Sequence, residues 1–161
     1  DIAVRICSID SAVVLKPEVN QRKSKEMHMG FNDLYRFSVH AVIYSNEKVL
    51  LVKQTYGDKR WGLPGGGVEP GETVYEAIKR ECREELKVDI IIEAFTGLYY
   101  HKSFNAQVGI FRCKIPEGAE IELSEEHSEY RWFDIDELGE VQKQRVIDAL
   151  QYDGKIFSRS F

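Results

Sequence analysis

The chain has 161 residues, 43% of them hydrophobic and 30% charged, with a net charge of −5. That length suits one domain with its own core, and the composition is that of an ordinary globular protein. The acidic balance argues against a general nucleic-acid binder, which needs a basic face, and no apolar run approaches the ~20 residues that span a bilayer.

Residues 1–33 read differently from the rest. Two short apolar runs, Ile2 to Ile9 and Ala12 to Leu15, precede Pro17 and the polar, mostly basic stretch 21–26. They predict an N-terminal extension that packs on the domain or on a sister subunit, with the runs as strands and the charged stretch as a solvated connection. The start, Asp1 to Arg5, lacks the features of a signal peptide. Cys7, Cys82 and Cys113 have neither CxxC nor zinc-like spacing. Reduced thiols in a cytoplasmic protein are expected.

A compact α/β pattern begins near residue 34. Tyr35 to Tyr44 is β-rich, Ser45-Asn46-Glu47 is turn-like, and Lys48 to Gln54 carries Val49, Leu50, Leu51 and Val52, which predicts a hairpin. A polar loop leads to Trp61-Gly62-Leu63-Pro64, a glycine turn over Gly65-Gly66-Gly67, and a further turn at Pro70-Gly71. A helix follows. Thr73 caps it with Glu76 three residues on, and Val74, Ile78, Cys82 and Leu86 form its buried stripe. Val88 to Phe95 and Gln107 to Ile115 read as strands with Tyr99 to Asn105 between them, and Glu129 to Phe133 as another. Asp134 caps a short helical turn, and Val141 to Tyr152 predicts a last helix ending near Gly154. Mixed strands with two main helices give an α/β sandwich in a single domain, 34–161.

The chemistry lies on the first helix. Glu81, Glu84 and Glu85 stand at i, i+3 and i+4, beside the apolar stripe. Three like charges at a core boundary call for a hard divalent cation with oxygen ligands. Taken alone, the helix also fits a solvated acidic face paired with Lys79, Arg80 and Arg83. The preceding residues shift the balance: three glycines leave the backbone bare for close approach, and Arg80 can hold neighbouring glutamates in a fixed fork.

Gly66, Glu72 and the run Arg80-Glu81-Cys82-Arg83-Glu84-Glu85-Leu86-Lys87-Val88 resemble the Nudix box, GX5EX7REUXEEXGU, at every specified position but one. The departure is Lys87, where the family usually has glycine, and it bears on how the helix ends. The resemblance implies a Nudix-type α/β/α sandwich with a mixed sheet. It implies a hydrolase that attacks, with water, a nucleoside diphosphate linked to another moiety, such as a nucleoside triphosphate or a nucleotide sugar. A catalytically silent nucleotide-binding or sensing module is the alternative, although such modules typically lose box acids that remain here.

The resemblance also implies roles. Glu81, Glu84 and Glu85 bind Mg²⁺, or Mn²⁺, together with the carbonyl of Gly65 or Gly66. Glu81 leads the candidates for general base, while Glu72 and Arg80 orient. The segment Ser124 to Phe133 resembles the downstream part of many members, where a further glutamate completes the metal site. Glu126 is the choice, ahead of Glu125 and Glu129. His127 is a base, a phosphate contact or a structural neighbour; His28, His40 and His101 show no ligand spacing. Arg36, Lys53 and Arg60, with Lys59, are the cations placed to receive phosphate, and Tyr56, Tyr99, Tyr100, Phe104 and Trp132 are the aromatics that can stack on a base or fill the core. Homodimers are common in the family, and the N-terminal extension is the natural contact.

Overall fold

The computed structural model describes residues 34–161; the N-terminal extension, with its Cys7 and His28, lies outside the described residues. Strand β1 (Arg36–Ser45) turns into β2 (Lys48–Gln54) through Asn46 and Glu47, both at positive φ (49° and 64°). Two such residues make a type I′ turn, whose twist matches that of the strands it joins. The hairpin pairs only at its tip, Tyr44 opposite Val49 and Ser45 opposite Lys48. Beyond the tip the two strands part and each organises its own neighbours. β1 runs parallel to β6 (Ala106–Lys114) and antiparallel to the short β4 (Gly65–Gly67). β2 pairs antiparallel with β3 (Trp61–Gly62) and β7 (His127–Asp134). β5 (Ile91–His101) adds antiparallel to β6, and β8 (Phe157–Ser160) adds parallel to β5.

Alternation along the strands sorts side chains to two faces. Val39, Ala41, Ile43, Leu50, Val52, Phe111 and Cys113 meet Ala77, Ile78, Cys82 and Leu86 of α1 (Val74–Leu86). Val42, Val49, Leu51, Val108 and Ile110 meet Val146 and Ala149 of α2 (Glu140–Leu150). The result is the expected α/β/α sandwich with a mixed sheet. Cys82 and Cys113 are buried free thiols in the first of these cores. Among the described residues, no helix is long and apolar enough to cross a membrane.

The start of α1 is as expected. Thr73 N–H donates to Glu76 Oε2 (2.7 Å) and Glu76 N–H to Thr73 Oγ1 (3.2 Å), a reciprocal capping box. A second box, Asp134 with Glu137, opens the helical turn Ile135–Glu137. The end of α1 answers the question raised by Lys87, which takes the left-handed conformation itself (φ 57°, ψ 29°). That costs a residue with a Cβ about 1 kcal/mol relative to glycine. Its backbone N–H donates to Arg83 O (3.1 Å) and its ammonium to Glu84 O (3.2 Å), which satisfies two carbonyls of the last turn.

Several boundaries differ from the sequence expectations. Gly65–Gly67 is an edge strand rather than a turn, held by backbone pairing to Ser38, Val39 and His40. β5 begins at Ile91, not Val88, and continues through Tyr99 and Tyr100 to His101, leaving only the single helical turn Lys102–Phe104 as the connection. Register shifts at Ile92/Ala94 and Phe95/Gly97 interrupt the two-residue alternation that would have marked it as one strand. In β7 the fully buried aromatic is Phe133, while Trp132 is half-buried.

Candidate active site

Helix α1 lies over β4, and the contact between them is polar. Arg80 Nε donates to Glu72 Oε1 (2.9 Å) and Nη2 to Glu72 Oε2 (3.2 Å). Nη1 donates to Glu81 Oε1 (2.9 Å) and Glu84 Oε2 (3.1 Å), and Nη2 also to the Gly67 carbonyl (2.9 Å). One guanidinium therefore ties the pre-helical loop, β4 and two glutamates into a fixed frame. The hydrogen bonds to Glu72, against the opposing cost of burial, hold Arg80 firmly protonated.

Gly66 sits directly beneath this frame. A Cβ there would lie 2.6 to 2.7 Å from the Glu81 carboxylate atoms, so the missing side chain is the space Glu81 occupies. Gly65 is required for a different reason: at φ +133° a Cβ would meet the Val39 carbonyl oxygen at 2.1 Å, breaking the approach of β4 to β1.

Glu85 points inward. It is only 6% exposed, and its Oε2 accepts the Gly65 N–H at 2.8 Å. Burial pushes its carboxyl up to about 8; the Gly65 N–H opposes this, and the charges of Glu81, Glu126 and Glu84 add to it. Glu81 is also raised, again chiefly by burial, with Arg80 opposing and Glu84 and Glu126 adding. His127 Nε2 stands 3.6 Å from Glu85 Oε1, outside hydrogen-bond range, and burial lowers its pKa.

The loop that carries Glu126 is anchored at this end of α1. Ser124 N–H donates to Glu85 O (3.2 Å), Glu122 N–H to Leu86 O (3.0 Å), and Thr55 N–H to Glu126 O (2.9 Å). Thr55 Oγ1 adds bonds to the carbonyls of Glu125 (3.1 Å) and Glu126 (3.0 Å). Tyr56, next along, has its phenol raised by burial and then by Glu126, Glu85 and Glu81. Glu126 thus joins the field of the helix acids across a long stretch of sequence. Glu129, by contrast, is engaged by Lys53 on the β2–β7 pair.

The donor set suits a hard divalent cation. Every candidate ligand is a carboxylate or carbonyl oxygen, and the burial that chiefly raises Glu85 and Glu81, with the neighbouring acids adding to it, is what such an ion offsets. Among the described residues, no three acidic, histidine or cysteine side chains stand closed as a finished cage. Arg80 holds one oxygen each of Glu81 and Glu84.

The cations expected to receive phosphate separate into two groups. Lys53 is paired with Glu129 and lies 5.6 Å from the Trp61 ring centroid, and Arg60 is paired with Asp58. Neither forms part of the walls of the cavities beside the cluster, whereas Arg36 does. A small cavity of about 100 Å³ includes Gly65, Glu85, His127, His40, Gln54 and Arg145 in its walls. A larger one of about 800 Å³ shares His40, Gln54 and Arg145 and adds Arg36, Phe37, His101 and Phe104. His40 is lowered to about 4 by burial, with its bond to the Leu63 carbonyl opposing, so it stands there as a neutral ring. Sequence reasoning passed over Arg145. The available signal was a charged residue spaced four before Ala149 on the buried face of α2.

The model of the NUDIX domain matches residues 34–152. The chain belongs to the NUDIX family. A MutT-like protein of Streptomyces ambofaciens is 31% identical over 125 residues, covering 75% of this chain and 80% of that protein. Nucleoside triphosphatase NudI of Escherichia coli is 30% identical over 92 residues, which take in 49% of this chain and 64% of NudI. A solved UDP-X diphosphatase superposes with a TM-score of 0.68 at 23% identity, covering 82% of this chain and 70% of the other, a likeness of fold. The reaction class that goes with the Nudix family is hydrolysis of a pyrophosphate bond.

Proposed function

We propose that this Nudix chain is a Mg²⁺-dependent pyrophosphohydrolase that uses water to cleave a nucleoside diphosphate linked to another moiety. The observation that carries the reading is that Arg80 holds Glu81 and Glu84 beside a glycine strand whose Gly65 N–H donates to the buried Glu85, with the charge of Glu126 felt by both Glu81 and Glu85. A purely structural helix has little use for Glu81 and Glu85 held half-buried or buried beside Glu84, with Glu126 of a distant loop adding its charge. Glu81, Glu84, Glu85 and Glu126, with the Gly65 carbonyl, would hold the ion. When bound, Mg²⁺ (or Mn²⁺) neutralises diphosphate charge and lowers the pKa of water.

The chain's own residues do the rest. Arg80 and Glu72 keep Glu81 and Glu84 in place, and β4 presents bare backbone where an anionic substrate must come close. Glu81 or a neighbouring glutamate takes the proton from the attacking water, a contribution of ~10²–10⁴ in rate. Arg36 and the aromatic walls of the larger cavity receive the remainder of the substrate. The nucleoside triphosphatase relative supports a nucleoside triphosphate ahead of a nucleotide sugar.

The test is a panel of nucleoside triphosphates and nucleotide sugars, incubated with Mg²⁺ or with EDTA, with products identified. Nucleoside monophosphate should appear with Mg²⁺ and not with EDTA. Binding without any hydrolysis across the panel would instead make this a nucleotide-sensing module.

A further inference from the structure

Arg145 is a charged side chain in an unusual position. It lies on the buried face of α2, is 9% exposed, and forms part of the wall of both cavities beside the carboxylate cluster. Its Nε and Nη2 are enclosed and have no hydrogen-bond partner among the described residues. Those two donors lie on one edge of the guanidinium, the edge that grips two oxygens of one acceptor in parallel. No carboxylate pairs with Arg145 among the described residues. The nearby acid on the same helix, Asp148, is taken up by Tyr99, Gln144 and Arg159. What Arg145 does have is two aromatic rings, Tyr99 and Phe161, each with its centroid 5.7 Å from the guanidinium carbon. Ring faces steady a cation but do not neutralise it or accept its N–H bonds in full.

A buried cation left in this state is costly, and the cost is removed by an anion. The larger cavity has room for one and, among the described residues, carries no competing acid: its walls hold Arg36 and Arg145 with His40 and His101, and neither aspartate nor glutamate. We infer that Arg145 is a substrate-specificity residue that receives a phosphoryl oxyanion of the substrate in the larger cavity beside the carboxylate cluster. The assignment of that anion to a substrate rests on the pyrophosphohydrolase reading above; the anion site itself does not. It favours substrates with a phosphate beyond the linkage that is cut, hence nucleoside triphosphates over nucleotide sugars.

Thermal melts in EDTA with inorganic phosphate test the site without turnover. Phosphate at ~10 times its Kd should raise the wild-type Tm by about 3 °C or more, and acetate should not. The phosphate shift should vanish in R145Q and shrink in R145K, which keeps the charge but loses the paired donors. In kinetic assays, R145Q should raise KM about ten-fold or more for a nucleoside triphosphate, with kcat little changed and a smaller effect on a nucleotide sugar. No phosphate shift in the wild type, or the same shift in R145Q, would overturn the inference and leave Arg145 as a pin between Tyr99 and Phe161. Should R145Q fail to fold, an undiminished shift in R145K overturns it equally. A phosphate shift that depends on Arg145 in a protein that hydrolyses nothing would keep the anion site and remove the hydrolase reading.

Discussion

Arg80 contacts four groups at once, Glu72, Glu81, Glu84 and the Gly67 carbonyl, and that economy defines the site. Gly65 and Gly66 stand side by side but serve different ends, so they separate fold from function. In G66A the new Cβ meets only the end of the Glu81 side chain, which can swing away. Stability should stay within about 1 kcal/mol of wild type while turnover falls at least ten-fold, as read by urea melts and initial rates on the same preparation. In G65A the Cβ meets backbone of β1, and the expected loss is more than about 2 kcal/mol of stability. At this scale spacing put Glu81, Glu84 and Glu85 on one side of a helix, but it took the preceding glycines, Glu72 and the resemblance to the Nudix box to read them as a site rather than a solvated face. Arg145 was not read, because its spacing from Ala149 is a weak signal and its enclosure depends on Tyr99 and Phe161, distant in sequence.

Among the elements, those with local chemistry matched expectation. Thr73 with Glu76, Asp134 with Glu137, and the Asn46-Glu47 turn are all settled by groups within a few residues of one another. Elements held only by distant partners did not declare themselves. β4 is three glycines that become a strand because β1 pairs with them, and β8 is four residues made regular by β5. The docking of α2 to that same β5–β8 edge depends on Asp148, whose carboxylate accepts from Tyr99 Oη (2.9 Å), Gln144 (2.8 Å) and Arg159 (2.7 and 2.8 Å). Burial raises its pKa, but the bonds from Arg159, Gln144 and Tyr99 outweigh that and hold it below the usual aspartate value. A depressed folded-state pKa gives stability that is present above about pH 4 and is lost as pH falls through the folded value. D148N should therefore cost about 2 kcal/mol at pH 7 and show a shallower decline below pH 4 than wild type, measured by urea melts across pH. Equal acid slopes in the two proteins would exclude Asp148 as a source of acid sensitivity.

For the whole molecule, the sandwich explains why the site lies where it does. One face of the mixed sheet is covered by α1, the other by α2, and the cavities open at the edge where β1, β4 and the Glu126 loop meet. The two-layer alternation and the two helices were readable in the chain; the meeting of residues near 65, 85, 126 and 145 in one place was not, because it depends on β1 choosing β6 and β4 as partners. Under the proposed function, gathering carboxylates in this way comes at some expense to the metal-free form. With its carboxyl raised to about 8, Glu85 carries little charge at neutral pH in the metal-free protein, and E85Q keeps an acceptor for the Gly65 N–H, so its Tm in EDTA should stay close to that of the wild type. The decisive measurement is the initial rate of nucleoside triphosphate hydrolysis at saturating Mg²⁺ for wild type and this folded E85Q variant. A fall of more than ~10² in kcat is predicted; wild-type turnover in E85Q would contradict the assignment of the cluster as the hydrolytic site.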